Sequence, residues 1–243
     1  MRFVGLIVGF AIAAAALAAC GGDESATPAP MAPTAEERAA AEPILSAASL
    51  PGEYLPHGFT FQEERFLTNE ESAEEELDYA GAPTVEDLNR WGQILEYEVT
   101  YQREIPTTLT GATLSLKVTT VLYRDKAGAR DAFEFEQMRL SGAEPLLDAL
   151  AWPAYSDLNV DEASVSPISI GGIGNDRAGF RMELSGSLPD IDSELSFFGQ
   201  LLLVRRDRVI GLVAAVAVGS PHPPKELEDI ASTLDERMKD ALE

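Results

Sequence analysis

Polypeptide chemistry rests on thiols, imidazoles, convergent carboxylates or a nucleophile beside a base, and this sequence supplies few of them. It has one cysteine, Cys20, and two histidines, His57 and His222. Each histidine sits in a proline-bounded stretch, Leu-Pro-His57-Gly-Phe and Pro-His222-Pro-Pro. No His-x-x-x-His pair exists, so zinc is unsupported and both read as surface loop residues. Asp157-Leu-Asn159-Val-Asp161 starts like a calcium loop. However, Glu162 replaces the glycine of its sharp turn and Ile168 replaces the bidentate glutamate that closes it. Asp190-Ile-Asp192-Ser-Glu194 is likewise a polar loop. Gly172-x-Gly174 has Arg177 where a dinucleotide fingerprint needs its third glycine, and reads as a tight turn. There is no Gly-x-Ser-x-Gly and no nucleophile with an identifiable base. No catalytic, metal-ligating or cofactor-binding residue is assigned, and no cofactor is expected.

Cys20 stands at the end of a different pattern. Arg2 is a basic start, Phe3 to Ala19 is an uncharged apolar run, and small residues lead into Cys20-Gly21-Gly22. That order of charge, apolar run and small residues is a secretory signal. The run is shorter than the ~20 residues of a membrane span. Its end, Leu17-Ala18-Ala19-Cys20, resembles the lipobox of bacterial lipoproteins. The resemblance implies cleavage before Cys20, diacylglycerol on its thiol and acylation of the new amine. It makes residues 1–19 a signal peptide, Cys20 the lipid attachment residue, and the protein an extracytoplasmic one held at the cell envelope by acyl chains. Two or more chains hold a protein stably where one does not.

Composition sets further bounds. The formal net charge is −23. Loss of residues 1–19, which contain Arg2 and no acid, makes it −24. Such acidity excludes nucleic acid as a partner, since phosphates demand a basic face, and disfavours lying on anionic lipid. A single cysteine allows no internal disulfide, so the exported domain must rest on its hydrophobic core. Residues 20–42 are rich in Pro, Ala, Thr and Glu and read as a disordered tether. A short helix over Ala35 to Ala48 competes with that reading. Residues 43–243 are long enough for one domain.

Within that domain, Thr68-Asn-Glu-Glu71 and Thr84-Val-Glu-Asp87 are helix-starting capping boxes, the second running through Leu88 and Trp91 to a stop at Gly92. Phe59, Phe61 and Phe66 suggest a first strand. Leu95, Tyr97, Val99 and Tyr101 alternate with polar residues, as do Leu114, Leu116 and Val118, and then Ala178, Phe180, Met182 and Leu184. Asp125 caps a helix to Leu140. Val160 to Ile170 holds one or two short extended pieces. Leu195 to Val204 and Val209 to Val218 form an apolar hairpin about Arg205-Arg-Asp-Arg208. A last helix aligns Leu227, Ile230, Ala231, Leu234 and Met238 in one stripe. The sum is an α+β domain, an antiparallel sheet of five to six strands with helices packed on one face. Glu96, Glu98, Arg181 and Glu183 then share the open, wet side, as plain surface or as a binding platform.

A helix ending in Trp91-Gly92, the Tyr123-Arg-Asp-x-x-Gly128-Ala129 helix start, the Gly172-x-Gly174-Asn-Asp-x-Ala178 turn and the Arg-rich hairpin together resemble LpqN-type lipoproteins and kinase-linked extracellular sensor domains, and more distantly the Mog1/PsbP-like fold. The resemblance spans about residues 50–242 and implies a non-catalytic envelope module without transferable site residues. The sensor members' paired cysteines are absent here. The expected function is a membrane-anchored, non-catalytic binding or interaction module. The alternatives are a carrier of lipid or another apolar ligand, which needs an internal cavity, and a carboxylate-dependent envelope hydrolase.

Overall fold

A computed structural model describes residues 31–75, 81–104, 113–142, 159–187, 195–218 and 223–243. Its framework is one sheet of seven strands in the order β1-β2-β3-β7-β6-β5-β4, every neighbouring pair antiparallel. The strands are β1 (Thr60–Leu67), β2 (Gln93–Glu104), β3 (Thr113–Tyr123), β4 (Asn159–Pro167), β5 (Asp176–Ser187), β6 (Leu195–Arg206) and β7 (Val209–Val218). Two runs of sequential neighbours, β1-β2-β3 and β4-β5-β6-β7, join where β3 pairs with β7.

The sheet is larger than the five to six strands expected. The extra strand is β4, at one edge. Its residues are mostly exposed on both faces, so no apolar period of two marks it in the sequence.

Helices cover both faces, which corrects the expectation of helices on one face only. On one side lie α1 (Ala35–Ala48) and α5 (Pro224–Asp240); on the other lie α2 (Asn69–Glu75), α3 (Val85–Trp91) and α4 (Lys126–Arg139). The physical reason is in β6 and β7. Leu201, Leu202, Leu203 and Val204 are all buried, as are Val213 to Ala217, so the central strands need cover on both sides. The first core joins Leu45 of α1 and Leu227, Ile230 and Leu234 of α5 to Tyr97, Val99, Leu116, Val118 and Leu202. The second joins Leu88, Trp91 and Phe133 to Phe180, Leu201, Leu203 and Ile210.

The two capping boxes close as the sequence predicts. Asp87 N–H donates to Thr84 Oγ1 at 3.2 Å and Thr84 N–H to Asp87 Oδ2 at 3.0 Å. The pair at Thr68 and Glu71 is made at 3.3 and 2.8 Å. Gly92 ends α3 in the left-handed region at φ 71°. Residues 35–42, assigned to the tether from composition, are helix instead. Thr34 and Glu37 form a capping box, and Ala41, Leu45 and Ala48 are buried. The remainder of that tether to residue 30 lies outside the described residues.

Candidate functional site

The helical layer of α2, α3 and α4 does not close fully on the sheet. Between them is a cavity of about 420 Å³. Its floor is the second face of β2, β3 and β7, where Glu98 stands opposite Thr119, which stands opposite Leu212. Its roof includes Leu88 and Trp91 of α3, Ala132 and Glu136 of α4, and Leu140 just beyond α4. A break in the β2 ladder between Gln93 and Leu95 turns Gln93 back onto this face.

At one end of the cavity a chain of charges is fixed by the register. Glu98, its side chain only 5% exposed, receives Arg65 Nε at 2.9 Å and Arg65 Nη2 at 2.5 Å on one oxygen. Its other oxygen pairs with Lys117 Nζ from β3. Arg65 also grips Glu75 of α2, with Nη2 to Oε2 at 2.6 Å. Burial works against charge on Lys117, but the Glu98 and Glu96 carboxylates outweigh it and hold its pKa above the ordinary value. Arg65 is raised in the same way, burial being overcome by Glu98 and Glu75. Ser72 Oγ donates to Glu96 Oε2 at 2.8 Å.

At the roof, Arg139 donates to Glu136 Oε2 from Nη2 at 2.7 Å and from Nε at 3.0 Å. Burial pushes the Glu136 carboxyl up despite that partner. Towards the apolar end, Gln93 is 2% exposed and its Nε2 has no hydrogen-bond partner. Its neighbour Asn69 instead donates to Asn89 Oδ1 at 2.9 Å and to the Gln93 carbonyl at 3.1 Å.

The charged residues expected on one wet face are split. Glu96 and Glu98 face the cavity, and Glu98 is buried. Arg181 pairs with Gln200, which stands opposite the core residue Ala215, so Arg181 and Glu183 belong to the opposite face. His57 is exposed in a turn, while His222 lies outside the described residues, as do Asp157 and Asp190 to Glu194. Asn159 and Asp161 lie on edge strand β4. Gly174 makes the tight turn read from sequence, at φ 67°, with its N–H donated to Asp235 Oδ2 at 2.9 Å. Among the described residues no group of three or more His, Cys, Asp or Glu could hold a metal, and no helix is long and apolar enough to cross a membrane. Cys20 lies outside the described residues.

Arg65, Gln93, Lys117, Glu136 and Arg139 were not singled out from sequence. Lys117 lies between Ser115 and Thr119 on the polar side of β3, so its type and spacing gave no signal of a buried ion pair. Glu98 was read from sequence, but its pairing with Lys117 was not, since that contact is set only by the β2–β3 register.

Fold and site thus define a three-layer module, an antiparallel sheet between two helical layers with a cavity under one of them. No family model matches the chain, and no curated protein does. It is similar to the crystal structure of the extracellular domain of PknH from Mycobacterium tuberculosis, at 9% identity and a TM-score of 0.47, over 86% of this chain and 98% of that one. It is also similar to the X-ray structure of an uncharacterized protein, the Rv0999 ortholog, from Mycobacterium smegmatis, at 10% identity and a TM-score of 0.32, over 85% of this chain and 93% of that one.

Proposed function

We propose that the protein is a lipid-anchored, extracytoplasmic binding module whose ligand is a small molecule held in the cavity under α2, α3 and α4. The observation that carries the reading is the cavity itself. About 420 Å³ falls within the ~300–1,000 Å³ of small-molecule sites, and a module acting only through its surface would have a filled core. Apolar walls with a few fixed polar groups are the usual make-up of such sites. The charged end argues against a carrier of purely apolar cargo, because burying Arg65, Glu98 and Lys117 against hydrocarbon alone would leave their remaining polar surface unsolvated. The same pairing supports a non-catalytic role: both Glu98 oxygens are engaged by bases, which leaves neither poised as a nucleophile or acid.

Anchoring rests on the sequence. Residues 1–19 act as the signal peptide, Cys20 carries the acyl chains, and the domain stands at the outer side of the membrane. Protein purified from its own host should release one small molecule on denaturation, detected by mass spectrometry. Val121→Trp, which fills the cavity, should release none. Equal recovery from both would refute the site. Metabolic palmitate labelling should mark the wild type and miss Cys20→Ser, and label retained in the variant would refute the anchor.

A further inference from the structure

We propose that the cavity takes an uncharged amphipathic molecule, with an acceptor oxygen on the Gln93 amide and an apolar body against Leu88, Trp91 and Leu140; this rests on the reading of the cavity as a ligand site. Gln93 carries the argument furthest. Buried polar groups are almost always hydrogen-bonded. Gln93 lines the cavity and is 2% exposed, yet its amide nitrogen has no partner. That nitrogen is a donor only, so what completes it is an acceptor, such as a carbonyl or ether oxygen. A lone water at such a site needs two to four polar partners. An oxygen carried on an apolar body needs only this one, because Leu88, Trp91 and Leu140 hold the rest of the molecule.

The charged groups of the lining are the independent reason why the molecule carries no charge. All are already engaged or in water. Arg65 holds Glu75 and Glu98, Lys117 holds Glu98, and Arg139 holds Glu136. Glu96 takes the Ser72 hydroxyl at 2.8 Å and makes a further interaction. Glu63 is exposed to solvent. An incoming anion or cation would have to break one of these pairs or shed its water without gaining a partner, and either is costly. An anion would also work against a chain of net charge −23. An uncharged molecule leaves every pair in place.

The test uses three probes on one phenylethyl body with different heads: 4-phenylbutan-2-one, which is uncharged with an acceptor oxygen, and 3-phenylpropanoate and 4-phenylbutan-2-amine, which are ions at pH 7. Each is titrated calorimetrically at that pH into the full chain in lipid nanodiscs, with empty nanodiscs as blank. The ketone should bind at least about tenfold tighter than either ion. Gln93→Met keeps the shape of the side chain and removes the donor, and should cut ketone affinity about tenfold. Val121→Trp should abolish all binding, and Ala132→Leu serves if that variant does not melt cooperatively. An ion that binds as tightly as the ketone, or a ketone affinity unchanged in Gln93→Met, overturns the uncharged acceptor and leaves the cavity reading intact when Val121→Trp still blocks. Binding by no probe, or binding unchanged by cavity filling, overturns both.

Discussion

Gln93 and Gln200 pose the same problem on opposite faces of the sheet. Gln93 lacks a partner at Nε2, and Gln200, 1% exposed, lacks one at both amide atoms. A buried amide left unpaired costs about 1–3 kcal/mol. Methionine is close to glutamine in shape, so Gln93→Met and Gln200→Met should each raise stability by about 1 kcal/mol, read as a higher urea midpoint at unchanged slope. Only Gln93→Met should also weaken binding of the molecule extracted from the host protein, because Gln200 stands opposite Ala215 on the α1/α5 side. Glu37 supplies the pH prediction. The Arg124 guanidinium and the Thr34 backbone N–H lower its carboxyl from 4.5 to about 2. Between those values the unfolded chain binds the proton and the folded chain does not, so the contribution of Glu37 is present above pH 4.5 and is lost as pH falls towards 2. Glu37→Gln should therefore be less stable than wild type at pH 7 and close to it at pH 2, as measured by urea midpoints at each pH. A constant gap would mean that packing, not ionisation, sets the difference.

At the scale of elements, the short motifs Trp91-Gly92 and Tyr123-Arg-Asp-x-x-Gly128 turn out to be two halves of one contact. Arg124 N–H donates to the Gly92 carbonyl at 2.9 Å, and Asp125 caps α4 through Gly128 N–H at 2.9 Å. A Cβ on Gly128 would stand 1.8 Å from the Trp91 carbonyl oxygen. That atom is backbone at the end of α3 and can yield only if α3 and α4 separate. Gly128→Ala should cost about 3 kcal/mol or more, towards the upper end for overpacking, while Gly211→Ala should cost about 1 kcal/mol. Gly211 also faces a crowded α5, but the nearest atoms are Leu234 Cδ2 at 2.8 Å and Met238 Sδ at 2.9 Å, the far ends of flexible side chains. Thermal melts of the two variants check the ranking, and a Gly128→Ala protein as stable as Gly211→Ala would show that the helices slide apart easily. The helices that were legible in sequence are those with local signals: the Thr84–Asp87 box, Asp125, and the Leu227–Met238 stripe. Strands with alternation were equally legible. What escaped was non-local. The cover on the second face of β2 comes from short helices whose apolar residues are few, and only the continuous apolar runs of β6 and β7 hinted at it. The cavity was invisible because no sequence shows how closely two layers approach.

For the whole molecule, the point where the chain enters the domain matters most. Arg124 ties it down, with Nη1 on the Met31 carbonyl at 2.8 Å, Nη2 on the Ala32 carbonyl at 3.2 Å, and Nε on Glu37 at 2.9 Å. Arg124 directly follows Tyr123, which lines the cavity, so entry point and cavity share one end of the sheet. From Cys20 to Met31 there are eleven residues, which can span no more than ~40 Å however far they are drawn out. On the proposed anchoring through Cys20, the clamp would keep the cavity end of the domain within that distance of the lipid. Arg124→Ala removes the clamp but touches neither core, since Leu45 and Ala48 still seat α1 on the sheet. Amide hydrogen exchange should then speed up at least about tenfold over residues 34–38, which open locally, and stay unchanged in β2 and β3, whose protection follows global stability. Faster exchange throughout β2 and β3 would mean that the start of α1 is part of the cooperative core, and that entry segment, cavity and sheet unfold as one unit.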